Sequence, residues 1–111
     1  MLYIMESKRL QQIQRRIKSI KRELERIGEM RPGSLSRQYR IPKRQVGAYY
    51  QLSYTHQMKS HTEYVRPQFV KEVCRQIATY KRFKRLTEEW IVLGIEECKL
   101  KIDIAKRERL R

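Results

Sequence analysis

At 111 residues, with 27 Lys or Arg against 12 Asp or Glu, the chain is the size of one small domain (residues 1–111) and carries a formal charge of +15. Its longest apolar run, residues 90–95, is far too short to cross a bilayer, and the opening MLYIM gives way at once to dense charge, unlike a secretory leader. Cys74 and Cys98 fall on one helical run with no CxxC pair, and no thiol lies near His56 or His61 in sequence, so we expect free thiols, a reducing cytoplasmic setting, no metal and no other cofactor.

In chain order, Leu10, Ile13, Ile17, Ile20, Leu24, Ile27 and Met30 recur at spacings of 3-4-3-4-3-3. This heptad-like stripe predicts a helix over residues 6–29, frayed at Gly28, with Lys8, Arg15, Lys18, Arg22 and Arg26 on the opposite face. Its isoleucines lower intrinsic helicity, so packing against another element must hold it. The RPGS stretch at residues 31–34 breaks the helix, because proline cannot continue it and glycine permits a turn. Three strands are expected next, at residues 37–41, 48–55 and 59–66, with turns at 43–47 and 56–58. Alternation puts Tyr50, Leu52 and Tyr54 on one face of the middle strand, and Leu52 marks that face as the core side.

Pro67 suits the first turn of a final helix over residues 67–111, whose only glycine is Gly94. Fully helical, this segment would reach roughly 65 Å, well beyond the first helix, so it should overhang or bend, with Thr87 and Gly94 as candidate breaks. The run WIVLGI is apolar all round, which predicts burial on more than one side and a homodimer formed through this helix around Trp90. The expected class is α+β. A long N-terminal helix, a small antiparallel three-stranded meander and a long C-terminal helix follow one another, the helices pairing as a coiled-coil-like hairpin with the sheet across one end.

Charge is most lopsided over residues 31–66, which hold seven basic residues, one acidic residue (Glu63) and five of the seven tyrosines. Lys and Arg neutralise phosphates and aromatic faces stack on bases, so this segment reads as a surface for nucleic acid. Arg37, Arg40, Lys43, Arg44, Tyr49 and Lys59 are its candidate contacts, beside Tyr39 and Tyr64. A strand ribbon can enter a major groove, and a sheet face can stack unpaired bases. The competing reading makes some tyrosines core residues, and Tyr50 and Tyr54 beside Leu52 are assigned that role. Lys81, Arg82, Lys84 and Arg85 span about 160° of the last helix, with Phe83 opposite, and form a second candidate phosphate-contacting face. The basic stripe on the first helix is better explained as an ordinary solvated face. Neighbouring carboxylates Glu88–Glu89 and Glu96–Glu97 diverge by about 100° on a helix, and no glycine-rich phosphate loop exists, so no enzyme activity is expected.

Three strings, MRPGSL (30–35), YYQLSYT (49–55) and YKRFKRLTEEW (80–90), with ELERIGE before and TEYV between, lie within residues 23–90, a span of about two thirds of the chain. Together they resemble an uncharacterised family of short bacterial and archaeal proteins associated with transposable elements. Many of its members carry a Cys-rich loop resembling a zinc knuckle between the first two strings. Here that position reads IPKRQVG (41–47), without cysteine, so no metal carries over. The resemblance implies a mobile-element or nucleic-acid context and names no activity. The expected function is therefore a non-enzymatic nucleic-acid-binding accessory or regulatory protein, with DNA in preference to RNA, and with a transposase or nuclease as a conceivable protein partner. The alternatives are a coiled-coil adaptor for a protein partner and an RNA- or ribonucleoprotein-binding protein.

Overall fold

A computed structural model describes residues 2–109. Helix α1 (Leu2–Glu25) is followed by strand β1 (Ser34–Ile41), a 3-10 turn (Pro42–Arg44), strands β2 (Val46–His56) and β3 (Lys59–Val65), a second 3-10 turn (Pro67–Phe69) and helix α2 (Val70–Arg109). The strands form one antiparallel sheet in the order β1-β2-β3, giving the expected α+β class. The chain divides into two compact units. One joins the chain up to Ile27 with the chain from Phe83 onward, and the other is Gly28–Arg82.

In the first unit the three-four stripe of α1 does what its spacing predicts. Ile13, Ile17 and Ile20 are buried against Leu86 and Leu93 of α2, and Leu24, Ile27, Trp90 and Leu100 pack around them. Ion pairs join the helices, among them Glu6 to Arg107, Arg9 to Glu96 and Arg16 to Glu89. Positions rise along α1 as they fall along α2, so the hairpin is antiparallel. Its helix α1 differs in register from the expected 6–29. It begins at Leu2 and ends at Glu25, where Arg26 N and Ile27 N donate to carbonyls three residues back and tighten the final turn. Met30 consequently lies outside the helix and is exposed.

Helix α2 enters at Val70 after the Pro67 turn, and the expected final residues 110 and 111 lie outside the described residues. It runs unbroken through both candidate break points. The Thr87 hydroxyl donates back to the Phe83 carbonyl at 3.0 Å, a bond made within the helix and not in place of it. Around residues 90–95 one side of the apolar run is covered within the chain. Trp90 lies against the core of its own chain, with the Lys21 ammonium 5.2 Å from the ring centroid. Ile91, Val92 and Ile95 are more than half exposed. The run is apolar on two sides because only one of them faces α1.

In the second unit, β1 and β2 begin earlier than expected, β2 extends one residue further, and β3 ends one residue sooner. Directly opposed residues share a face. Leu35 with Leu52, Arg37 with Tyr50, and Tyr50 with Val65 therefore define one side of the sheet. Leu52 is fully buried there, with Tyr50 and Tyr54 half-buried beside it as expected. Gly33, at φ +149°, closes the RPGS turn onto it. A Cβ at this position would lie 2.6 Å from Leu52 Cδ1. The turn is also anchored by Arg31 N donating to the Gln76 carbonyl of α2, and Ile77 is buried in the same unit. Gln57 and Met58 both take positive φ, the two-residue turn whose twist matches the flanking strands.

Candidate nucleic-acid interface

The opposite side of the sheet has a different chemistry. Ser34, Ser36, Gln38 and Arg40 of β1, Tyr49, Gln51, Ser53 and Thr55 of β2, and Ser60, Thr62 and Tyr64 of β3 share it by register, and none of them is buried. The side is hydroxyl- and amide-rich, holds two phenol rings, and bears no carboxylate. Gln38 donates to Ser36 Oγ at 3.1 Å, fixing part of the row. The one acidic residue of the segment, Glu63, lies on the Leu52 side. There it accepts the Tyr54 hydroxyl at 2.9 Å and lies 3.9 Å from Arg31, whose guanidinium sits 5.0 Å from the Tyr54 ring centroid. The hydrogen bond to Glu63 pushes the Tyr54 hydroxyl above its ordinary tyrosine value.

Because β3 ends at Val65, opposite Tyr50, residues 46–49 of β2 run on without a neighbour on that flank. The notch is a cleft of about 480 Å³ lined by Arg40, Ala48, Tyr49, Tyr50, Tyr64, Val65, Arg66 and Pro67. Arg40 comes from the far strand, lying across Gly47. A Cβ there would meet Arg40 Cβ at 3.0 Å and its Cγ and Cδ at 3.3 and 3.4 Å, and φ at Gly47 is +73°. Glycine thus serves both the backbone and the arginine that passes over it. Tyr49 and Tyr64 meet edge to face, with ring centroids 5.5 Å apart and an interplanar angle of 68°. Tyr64 is 80% exposed, by far the barest aromatic ring of the sheet.

The structure divides the candidate contacts. Arg40 and Tyr49 meet in the cleft, and Lys43 and Arg44 stand exposed in the 3-10 turn that joins β1 to β2 at the same end of the sheet. Arg37 lies on the other face, its guanidinium 5.5 Å from the Tyr39 ring centroid. Lys59 pairs with His56 at the far hairpin and is not brought to the cleft. Lys81 borders a recess with Gly33, Leu35, Cys74 and Ile77. Arg82 is exposed in this same unit, whereas Lys84 and Arg85 belong to the helical unit, beside Glu88, Glu89 and Val92. Phe83 is half-buried on the opposite side of α2, as its spacing requires. Arg66 was missing from the candidate contacts, and Tyr64, named only beside them, lines the cleft itself. The alternation in KSHTEYVR carries the signal, since it puts Tyr64 and Arg66 on one side.

Some of the helix arginines are held in ion pairs. Arg16 grips Glu89 bidentately, with Nη2 donating to Oε1 at 2.8 Å, and Arg9 holds Glu96 in the same way. Arg75 pairs with Glu72 and Arg107 with Glu6. Among the described residues, Arg40, Lys43, Arg44 and Arg66 have no carboxylate within ion-pairing distance. Also among the described residues, no three His, Cys, Asp or Glu side chains gather as a metal-ligand set, and no helix is long and apolar enough to cross a membrane. No family model matches the chain, nor does any curated protein or solved structure.

Proposed function

We propose that this protein is a non-enzymatic nucleic-acid-binding accessory or regulatory protein that holds phosphates at the basic end of its sheet. The observation that carries this reading is the gathering of four cations at one end of the sheet. Arg40, Lys43, Arg44 and Arg66 gather there with no carboxylate partner among the described residues, beside the exposed ring of Tyr64. Unmatched guanidinium and ammonium groups beside exposed tyrosines suit a polyanion that also offers flat rings. DNA is the expected form, in a mobile-element setting with a transposase or nuclease as companion. The arc of Lys81, Arg82, Lys84 and Arg85 on α2 offers a second set of phosphate contacts.

Salt titration tests the reading. If five or six phosphates are neutralised, log K on duplex DNA falls with log salt at a slope of about −5. Replacing Arg40, Lys43 and Arg44 with Gln weakens binding about tenfold or more beyond the effect of replacing Arg15, Lys18 and Arg22 on α1, with circular dichroism unchanged in both. Absence of binding at low salt, or equal losses in the two triples, refutes it.

A second reading concerns assembly. Ile91, Ile95, Cys98 and Ile102 follow one another at spacings of four, three and four on an exposed side of α2. This stripe has the period of a coiled-coil seam, which favours a homodimer through α2, or an adaptor surface for another helix.

A further inference from the structure

We propose that the cleft bounded by Arg40, Tyr49, Tyr64 and Arg66 takes an unpaired nucleotide, so that the polar side of the sheet binds single-stranded nucleic acid in preference to duplex. This rests on the nucleic-acid reading above and narrows it to a strand state and a pocket.

Four features of the cleft converge on that ligand. Its volume of about 480 Å³ is within the range of pockets that enclose one small molecule, and is too small for a base pair with both backbones. Its cations are two arginines with no carboxylate partner among the described residues, suited to bidentate phosphate contacts. Its rings are available. Tyr64 is 80% exposed, and its edge-to-face contact with Tyr49 occupies at most one of its two faces, leaving the other for a base. The wall is completed by Ala48, Val65 and Pro67, apolar groups that dry the ring of a bound base. In a duplex each base is covered above and below by its neighbours, so phenol faces on a sheet gain nothing from it. An unpaired base stacks on them at little cost. Beyond the cleft, the row of Ser, Thr and Gln side chains offers donors and acceptors to sugars and base edges, with no carboxylate to repel the backbone. Sheets of this kind engage about two or three bases at once.

The test uses the full chain and four fluorescent probes of equal length: oligo-dT, oligo-U, an abasic DNA strand and duplex DNA. Anisotropy is read at one salt concentration and then across a salt series. For the wild-type protein, oligo-dT binds at least about tenfold more tightly than the abasic strand, because the two differ only in the stacked ring. Tyr64→Ala removes that difference and lowers oligo-dT affinity more than duplex affinity, while Tyr64→Phe retains it. Arg66→Gln weakens oligo-dT and the abasic strand alike and reduces the salt slope by about 0.7, one single-strand phosphate. Tighter binding of oligo-U identifies RNA as the source of the strand, equal or tighter binding of oligo-dT identifies DNA, and both support the pocket. If the abasic strand binds as well as oligo-dT, or if Tyr64→Ala lowers duplex and single-strand affinity equally, the pocket is overturned and the phosphate-binding function stands. If no probe binds at low salt, the function itself falls. Because Tyr64 is so exposed, circular dichroism of Tyr64→Ala should match that of wild type, and an altered spectrum counts against the assignment of Tyr64 to ligand instead of packing.

Discussion

Gly47 shows how a single residue can hold a site open. At Gly47 the backbone takes positive φ, and Arg40 crosses the space that a side chain would fill. Gly47→Ala should therefore both strain the turn, at a cost of about 1 kcal/mol or more, and displace Arg40 from the cleft. Urea unfolding measures the first effect. The second is read as a loss of nucleic-acid affinity similar to that of Arg40→Gln. Gly28→Ala is the matched control, since a Cβ there meets nothing within 4 Å, and it should leave affinity unchanged. Leu52 bears on the same unit from beneath. It is fully buried under Gly33 in a sheet with few other buried apolar groups, so Leu52→Ala should destabilise by about 2–5 kcal/mol, measurable as a lowered urea midpoint. Tyr64, exposed on the far face, should contribute almost nothing to that midpoint.

At the scale of elements, the helices and the sheet use their charges differently. Along α1 and α2, hydrogen bonds from Arg16 and Arg9 hold the Glu89 and Glu96 carboxyls below the usual carboxylate range. A depressed carboxylate stabilises the fold while it is ionised. The contribution is complete above the unfolded value, about pH 4.3 for Glu, and disappears as pH falls through the lower folded values. An Arg9→Gln/Arg16→Gln double variant should therefore melt below wild type at pH 6, and the two melting curves should converge toward pH 3. A gap that does not change with pH would mean that the arginine stems act by packing alone. The sheet carries no such pairs at its cleft end. Binding there should follow salt concentration.

For the whole chain, a charge of +15 on 111 residues is self-repelling, and a bound polyanion relieves it. An excess of single-stranded DNA should accordingly raise the melting temperature. The same chain has an exposed apolar stripe on α2, the proposed seam between copies. Ile95→Glu should give a monomer in sedimentation with helicity retained, because Ile95 is 54% exposed. Trp90→Glu should instead lose helicity, since Trp90 packs on the core that joins α1 to α2. Burial of each such side chain is worth about 1.5–3 kcal/mol. A wild-type chain that sediments as a monomer at high micromolar concentration would remove the seam.

Much of the architecture was legible without coordinates because helix and strand periodicities are local properties. The stripe from Leu10 to Ile27 foretold which side of α1 is buried, and alternation around Leu52 foretold the two sides of the sheet. Proline and glycine at residues 32, 33, 42, 47 and 67 marked the turns, since φ restriction and φ freedom act within a residue or two. The basic, tyrosine-rich character of residues 31–66 was equally plain. What depended on tertiary structure was which of these groups meet. Strand register brought Tyr64 and Arg66 beside Tyr49 and sent Arg37 and Lys59 elsewhere, and no counting along the chain distinguishes Lys59 from Arg40 as a cation. Helix pairing turned Trp90 inward and left Ile91 and Ile95 out, although all three belong to one apolar run. Composition sets the sum of charges, but whether a cation finds a carboxylate is decided by distance in space, and at the cleft that distance is what leaves Arg40 and Arg66 open to a ligand.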